Sequence, residues 1–179
     1  MKIEPLLLSG AHRITLPAFP DMRGIFVKSF HQSSLNEAGL DFQLKESYYS
    51  LSNKGVIRGM HFQTPPHEHS KIVFCPIGAI LDVIIDLRKN SSTYGQYHAE
   101  ILSQDNHHAY FIPAGFAHGF KALSEGAMTY YLVSSEYHAS SDTGIRWDSF
   151  GLDWDCTEPI ISQRDQSFGA LPDFTSPFE

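Results

Sequence analysis

Ten of the 179 residues are histidine, the side chain best suited to moving protons near neutral pH and a common metal ligand. An unperturbed pKa of about 6.5 makes the imidazole a base at neutral pH. His67 and His69 flank Glu68, a spacing that on a strand places both imidazoles on one face, as a metal site requires. The histidines therefore support two interpretations, a metal site and an acid–base site.

Three segments combine glycine with arginine or histidine, and they are Phe19–Phe26, Gly55–Gln63 and Ile112–Phe120. In the first two, Arg23 and Arg58 stand directly before a glycine. A guanidinium group matches the oxygens of a phosphate, and a neighbouring glycine permits a tight turn or a close approach of the backbone to a ligand. These segments predict a site for a small phosphorylated ligand.

Short strands separated by turn residues must position these side chains. The region Ile57–Val133 has this pattern throughout, which is typical of a sandwich or a closed barrel. Its clearest part is a hairpin with strands at Lys71–Cys75 and Ala79–Leu87 and a turn at Pro76–Gly78. Further strands are predicted at Tyr97–Leu102, Ala109–Ile112, Gly115–Leu123 and Ala127–Val133.

One short helix is predicted, at Ser33–Ala38, where Ser33 or Ser34 caps the start and Gly39 ends it. From residue 150 onward the mixture of tryptophan, proline and polar residues predicts irregular structure that covers the barrel. The chain shows no repeat or linker, so we expect a single domain over residues 1–179.

Composition narrows the function. A hydrophobic content of 42% is enough to build a core, and the length suits one domain. The formal net charge of -7 argues against nucleic-acid binding, which depends on a basic face. No apolar run approaches the roughly 20 residues that cross a bilayer. Only Cys75 and Cys156 are present and no signal pattern precedes Pro5, so we expect a cytoplasmic protein without a disulfide framework.

The three glycine-containing segments, in this order, resemble the dTDP-4-dehydrorhamnose 3,5-epimerase family. The resemblance extends through Gly78–Arg88, Ser92–Gly95, Tyr131 with Tyr137, and Ile161–Asp165, and it covers most of the chain. It implies an all-β fold, a cupin-type antiparallel β-barrel (jelly roll) with short peripheral helices. It also implies a homodimer in which the N-terminal segment of one protomer reaches into the site of its partner.

The reaction that the resemblance implies is epimerisation at C3, C5 or both of a nucleoside-diphosphate 4-keto-6-deoxyhexose, in the synthesis of deoxysugars such as rhamnose for lipopolysaccharide or capsule. The C4 ketone acidifies the protons on C3 and C5, so a base, a stabiliser of the enolate and an acid on the opposite face are sufficient. We therefore expect no metal and no organic cofactor.

The family pattern assigns the catalytic roles. His61 matches the base, and Asp165 matches the carboxylate that orients it and stabilises the imidazolium. Tyr131 matches the acid, and strand alternation sends its neighbour Tyr130 to the opposite face of the sheet. Lys71 is the candidate stabiliser of the enolate oxygen.

Other matches predict contacts with the substrate. His118, oriented by Asp82, is expected to donate a second hydrogen bond to the enolate oxygen, and Arg23 and Arg58 to bind the diphosphate. Tyr137 matches a position along the bound nucleotide. The remaining predicted substrate-binding residues are Phe26, Lys28, Glu46, Tyr48 and His69.

Several of these positions differ from the family. Relatives commonly carry Glu at Lys28, Gln at Glu46, Asn at Tyr48, Gln at His69 and Arg at Phe74. Replacing an acceptor such as Glu by a donor such as Lys changes which base a site binds. The sequence therefore leaves the nucleotide open between dTDP, CDP and GDP, whereas the proton-transfer residues are intact.

Three other functions are compatible with the sequence. A metal-dependent cupin oxygenase or isomerase would use the motif His67–His69 with His118, although Val73 and Phe74 occupy the places where such proteins carry Glu. The prolines before this motif also indicate that His67 lies in a loop. A non-catalytic sugar-nucleotide-binding cupin would be expected to lack the base or the acid. A keto-isomerase on a similar barrel would use the same proton chemistry.

Overall fold

A computed structural model describes residues 1–179 as two facing antiparallel sheets and a separate hairpin. The strands are β1 (Lys2–Pro5), β2 (His12–Thr15), β3 (Ala18–Asp21), β4 (Gly24–Val27), β5 (Glu46–Ser52), β6 (Ile57–Gln63), β7 (Lys71–Ile77), β8 (Ala79–Asp86), β9 (Tyr97–Ser103), β10 (His108–Ile112), β11 (Phe116–Ala122), β12 (Ala127–Val133) and β13 (Asp142–Gly144). The helices are α1 (Gln32–Glu37), α2 (Gln163–Gln166) and a 3-10 turn at Leu171–Asp173. None of them has the length and apolarity of a membrane-spanning helix.

The strand order is that of a jelly roll. One sheet has six strands in the order β1-β2-β10-β7-β12-β5, the other has five in the order β13-β6-β11-β8-β9, and β3 pairs only with β4. The chain thus crosses between the sheets repeatedly, and neighbouring strands in each sheet are antiparallel. This confirms the expected all-β, cupin-type barrel with short peripheral helices.

The central strands of both sheets are buried on both faces, which explains why most of their residues are apolar. Between the sheets lies a core that includes Val73, Ile84 and Phe120. The outer face of the six-stranded sheet is covered by α1 and the following residues, and the outer face of the five-stranded sheet by the C-terminal segment. Each such buried side chain contributes roughly 1.5–3 kcal/mol from burial.

The predicted hairpin and the four predicted strands after it all form, with bounds shifted by at most a residue or two. The helix also forms, but its predicted cap is wrong. His31 occupies the N-cap position in an extended conformation, and its Nδ1 lies 2.9 Å from Ser34 Oγ, so both serines fall inside the first turn. Gly39, at φ +73°, ends the helix as predicted.

Two glycines bring the central strands of the five-stranded sheet close together. Gly59 has φ +129°, and a Cβ added there would lie 2.5 Å from the Cα of Gly119. Only glycine permits this approach of β6 to β11. The register that results places His61 directly opposite His118.

The C-terminal segment is irregular, as predicted, apart from α2 and one 3-10 turn. It is nevertheless packed, because Trp154 and Phe178 are buried against the five-stranded sheet. Lys121 anchors it by hydrogen bonds from Nζ to the carbonyl oxygens of Trp154 and Asp155. The Ser162 hydroxyl caps α2 by accepting the N–H of Asp165 at 3.1 Å. The Asp165 carboxylate contacts Gly59 and His61 of β6.

Candidate active site

A cavity of about 370 Å³ opens between the two sheets. Strands of both sheets contribute to its wall, and polar side chains predominate in it. The predicted site residues that line it are Glu46, Tyr48, Arg58, His61, His69, Lys71, His118, Tyr131 and Tyr137. The structure therefore brings most of the predicted site together.

His61 and Asp165 form an imidazole–carboxylate pair at the wall of the cavity. The Nε2 of His61 lies 2.8 Å from Oδ1 of Asp165, whose side chain is only 6% exposed. Oδ2 of Asp165 accepts the backbone N–H of Gly59 at 3.0 Å. Burial alone would raise the pKa of Asp165, but these hydrogen bonds lower it below its usual value. An ionised acceptor at Nε2 leaves Nδ1 of His61 free to accept a proton.

Tyr131 lines the same cavity from the six-stranded sheet, whereas His61 belongs to the five-stranded sheet. Burial raises the pKa of its phenol well above the ordinary value, so the group is protonated at neutral pH and able to act as an acid. The ring stacks on Tyr48 at 4.8 Å between centroids. Tyr130 stacks on Phe74 on the outer face, so the predicted alternation is confirmed.

Lys71 is buried in the cavity wall at the start of β7. Its Nζ donates to the carbonyl oxygen of His61 at 3.3 Å. Burial lowers the pKa of the ammonium to about 8, although Asp142 and Asp82 oppose the shift. The group is therefore still largely charged at neutral pH and lies near His61.

His118 and Asp82 form a second, fully buried pair, with Nε2 of His118 2.8 Å from Oδ2 of Asp82. Burial lowers the pKa of the imidazole and raises that of the carboxyl, and the mutual attraction of the two groups opposes both shifts. Because Nε2 is engaged, Nδ1 is the nitrogen that His118 can direct to a ligand. The ring also packs edge-on to Tyr131 at 5.7 Å.

Arg58, Glu46 and Tyr137 lie at the more exposed end of the cavity. The guanidinium of Arg58 donates to the Ser52 hydroxyl at 3.1 Å, which orients it. Oε2 of Glu46 accepts the backbone N–H of Tyr137 at 2.7 Å, and the Tyr137 side chain is exposed. Glu46 thus holds in place the segment that carries the Tyr137 ring.

Arg23, Phe26 and Lys28 do not line this cavity. They belong to the β3–β4 hairpin and the residue after it, where Arg23 pairs with Asp21 and Phe26 packs on Phe19 at 6.2 Å. Arg23 is 86% exposed at its side chain. Within one chain, these three predicted substrate-binding residues are therefore apart from the other predicted residues.

The cavity residues that were missed from the sequence include Arg164, Asp142 and Gln63. Arg164 donates to Asp142 at 2.7 Å, and both line the cavity, as does Gln63. Gln63 and Arg164 fall inside segments that carried the family resemblance, which was the one available signal for them. Asp142 lies on β13, a strand of three residues that is too short for its pattern to be recognised.

Of the histidines of the metal hypothesis, His67 lies in a loop, as the prolines indicated, and so does His69, whereas His118 lies on β11, and all three have other contacts. The ring of His67 stacks on His138 at 3.6 Å, and Nδ1 of His69 lies 3.0 Å from the amide nitrogen of Gln63. No three His, Cys, Asp or Glu side chains are grouped so that they could hold a metal ion.

The fold and the site together define the class of protein, a cupin-type isomerase that epimerises nucleotide sugars. The chain belongs to the dTDP-4-dehydrorhamnose 3,5-epimerase family, whose model matches residues 5–173. A dTDP-4-dehydrorhamnose 3,5-epimerase from Methanothermobacter thermautotrophicus is 40% identical over 169 residues, covering 92% of this chain and 91% of the relative. A dTDP-4-dehydrorhamnose 3-epimerase from Streptomyces niveus is 35% identical over 169 residues, covering 93% and 82%.

A solved structure agrees closely with the fold. The dTDP-6-deoxy-D-glucose-3,5-epimerase of Legionella pneumophila, crystallised with dTDP-4-keto-L-rhamnose, superposes with a TM-score of 0.94 at 31% sequence identity. The match covers 99% of this chain and 98% of that chain. The family and the reaction class inferred from the sequence are thereby confirmed.

Proposed function

We propose that this chain inverts both C3 and C5 of dTDP-4-keto-6-deoxyglucose, with His61 as base and Tyr131 as acid. The observation that carries the proposal is that an imidazole held by Asp165 and a protonated phenol line one cavity from facing sheets. The two relatives named for epimerisation at C3 and C5 support the substrate, and one of them was crystallised with a dTDP sugar.

In the proposed reaction, Nδ1 of His61 takes the proton from the carbon next to the ketone, and the electron pair moves onto the ketone oxygen as an enolate. The ammonium of Lys71 stabilises this oxygen. His118 can add a hydrogen bond to it only in the protonated form, because in the neutral ring Nε2 donates to Asp82 and Nδ1 is an acceptor. The Tyr131 hydroxyl then delivers a proton to the same carbon from the opposite face, so the centre is inverted. Exchange of the imidazolium and phenolate with water restores the starting states.

Two variants test the roles separately. His61→Ala is expected to bind the substrate but to exchange neither the C3 nor the C5 proton for deuterium in heavy water, as followed by NMR. Tyr131→Phe is expected to exchange protons without inverting the centres, because the base can still remove and return a proton on its own face. Full exchange in His61→Ala would refute the assignment of the base.

The nucleotide and the positions inverted are tested by comparing substrates. Titration with dTDP, CDP and GDP is expected to favour dTDP, since Glu46 is engaged by the Tyr137 backbone and is less free to select another base. Product NMR distinguishes inversion at both centres from inversion at C3 alone, the activity for which the Streptomyces niveus relative is named.

The proposal includes a homodimer of single-domain protomers in which Arg23, Phe26 and Lys28 complete the partner's cavity. The exposure of the β3–β4 hairpin supports it. Neither Arg23→Ala nor His61→Ala alone should be active, whereas a mixture refolded together should recover about a quarter of the activity if sites are shared between protomers. Light scattering gives the oligomeric state, and no recovery would refute shared sites.

A cytoplasmic location and a role in making surface polysaccharide such as lipopolysaccharide or capsule are also part of the proposal. Cys75 and Cys156 are unpaired thiols, as a reducing compartment favours. Cell fractionation, together with sugar analysis of a deletion strain, tests both points.

A further inference from the structure

Gln63, the last residue of β6, is buried and holds together two loops at the open end of the cavity. Its Oε1 accepts the backbone N–H of His138 at 2.6 Å. Its Nε2 lies 2.8 Å from the carbonyl oxygen of His67 and 3.2 Å from that of Glu136. Because a backbone N–H only donates and a carbonyl only accepts, the side-chain amide has a single possible orientation.

The same amide nitrogen lies 3.0 Å from Nδ1 of His69. An amide nitrogen donates and does not accept, so Nδ1 of His69 must be the acceptor, and the proton of the neutral ring is on Nε2. The two amide hydrogens serve three acceptors, so one of them is shared. Burial, reinforced by the charge of Lys71, lowers the pKa of His69 to about 3, so the ring is neutral.

The Nε2–H of His69 has no partner in the protein. The atom is buried, and the residue lines the cavity. Buried donors are normally paired, so a ligand in the cavity is the natural acceptor.

The position of His69 defines which part of the ligand it meets. Pairing of β7 with β12 continues beyond Lys71 through the Ser134 N–H, which donates to the Ser70 carbonyl at 3.1 Å.

His69 precedes Lys71 by two residues, so along the extended chain the two residues are about 7 Å apart. His69 lies on the side of Lys71 that is nearer to the exposed Tyr137, because Ser70 pairs with Ser134. If the ammonium of Lys71 faces the ketone oxygen on C4, a donor at this separation reaches the C2 side of the same sugar ring. A neutral donor suits an uncharged hydroxyl, and the guanidinium of Arg58 remains for the charged diphosphate.

We propose that Gln63 is a positioning residue that holds His69 as a neutral Nε2–H donor to the C2 hydroxyl of the hexose. The inference rests on the proposed function. It implies that the enzyme selects hexoses that keep the 2-hydroxyl over their 2-deoxy counterparts, because a 2-deoxy sugar leaves the buried donor unpaired.

The tautomer is tested by nitrogen-15 NMR of the histidine rings in the free protein. The wild type and Gln32→Leu, a control on the exposed helix α1, should show His69 only with a bare Nδ1 and a protonated Nε2. Gln63→Leu should show a mixture of tautomers. A His69 ring protonated at Nδ1 in the wild type, or an unchanged single tautomer in Gln63→Leu, would overturn the positioning role.

The contact is tested with dTDP-4-keto-6-deoxyglucose and its 2-deoxy analogue. In the wild type and in the control His31→Phe, loss of the hydroxyl should lower kcat/KM about 10-fold. In His69→Phe the two substrates should differ less than about 2-fold, and His69→Gln should restore part of the difference because its amide also donates. Equal discrimination in the wild type and His69→Phe would refute the contact.

The outcomes separate this inference from the proposed function. A wild type that exchanges no C3 or C5 proton would refute the epimerase assignment, and the tautomer experiment would still decide the role of Gln63. An active wild type that accepts both substrates equally would refute only the contact between His69 and the 2-hydroxyl. If Gln63→Leu fails to fold, the comparison of His69→Phe with His69→Gln decides the matter.

Discussion

Asp165→Asn offers the sharpest test of how His61, the proposed base, is held. Both carboxylate oxygens accept hydrogen bonds, Oδ1 from His61 Nε2 at 2.8 Å and Oδ2 from the Gly59 N–H at 3.0 Å. An asparagine of the same shape has one oxygen and one NH₂ group, so it can satisfy only one of these donors. If its oxygen keeps Gly59, the NH₂ group faces His61 and forces the ring proton onto Nδ1, the nitrogen that should act as base.

The size of the effect follows from these contacts. Loss of a charge-assisted hydrogen bond costs about 1.5–3 kcal/mol, and a buried donor left unpaired or a wrong tautomer costs about 1–3 kcal/mol more. A total near 4 kcal/mol corresponds to about a 10³-fold decrease, at about 1.36 kcal/mol for each factor of ten. We expect the decrease in kcat with little change in KM, because the carboxylate acts through His61 on the transition state.

The assay is deuterium incorporation at C3 and C5 in heavy water, at a temperature well below the unfolding transition of the variant. Asp148→Asn is the matched control, since Asp148 is an exposed carboxylate that pairs with Arg146 away from the cavity. A decrease in kcat below about 3-fold in Asp165→Asn would show that the carboxylate does not set the tautomer of the base.

Burial and close contacts lead to four further predictions. Because burial lowers the pKa of Lys71 to about 8, kcat/KM should fall above that pH as the ammonium loses its proton. In Lys71→Gln, kcat/KM should be much lower at every pH, and the pH–rate profile should lack this decline. The folded state disfavours the charged form of Lys71, so the free energy of unfolding of the wild type should rise as pH increases from about 8 to 10. At pH 7, Lys71→Met should be about 2 kcal/mol more stable than the wild type in denaturant titration. Tyr48→Leu removes the ring stacked on Tyr131 and should lower kcat about 10-fold without unfolding the protein, as steady-state kinetics and thermal melting will show. Gly59→Ala would bring a methyl group 2.5 Å from the Gly119 Cα at a φ that alanine avoids, so the melting transition should show a loss above about 3 kcal/mol.

The strands from β7 to β12 could be predicted because each is a local event. In Ala127–Val133 the boundaries are marked by turn residues, and β-branched or aromatic side chains fill the run, so the predicted and observed bounds coincide. The N-terminal strands escaped prediction for the opposite reason. The strand Ala18–Asp21 contains Pro20 and is mostly exposed, so neither apolar alternation nor strand propensity marks it.

The contents of the site were predictable only through the family pattern. His61 and Asp165 are 104 residues apart in sequence, and no local periodicity relates them. The same holds for Arg164, which lies beside a recognised residue but gains its place in the cavity through Asp142 on a three-residue strand. Side-chain type indicated what each residue could do, whereas the pairing required the three-dimensional structure.

The position of the proposed catalytic pair, His61 and Asp165, depends on the packing of two separate parts of the fold. Asp165 reaches His61 because the C-terminal segment packs on the five-stranded sheet, with Trp154 buried and Lys121 bonded to its carbonyl oxygens. The imidazole itself is fixed by β6, which the Gly59–Gly119 contact holds against β11. A change that loosens the C-terminal segment should therefore lower kcat before it unfolds the barrel, because it removes the carboxylate and leaves the ring in place.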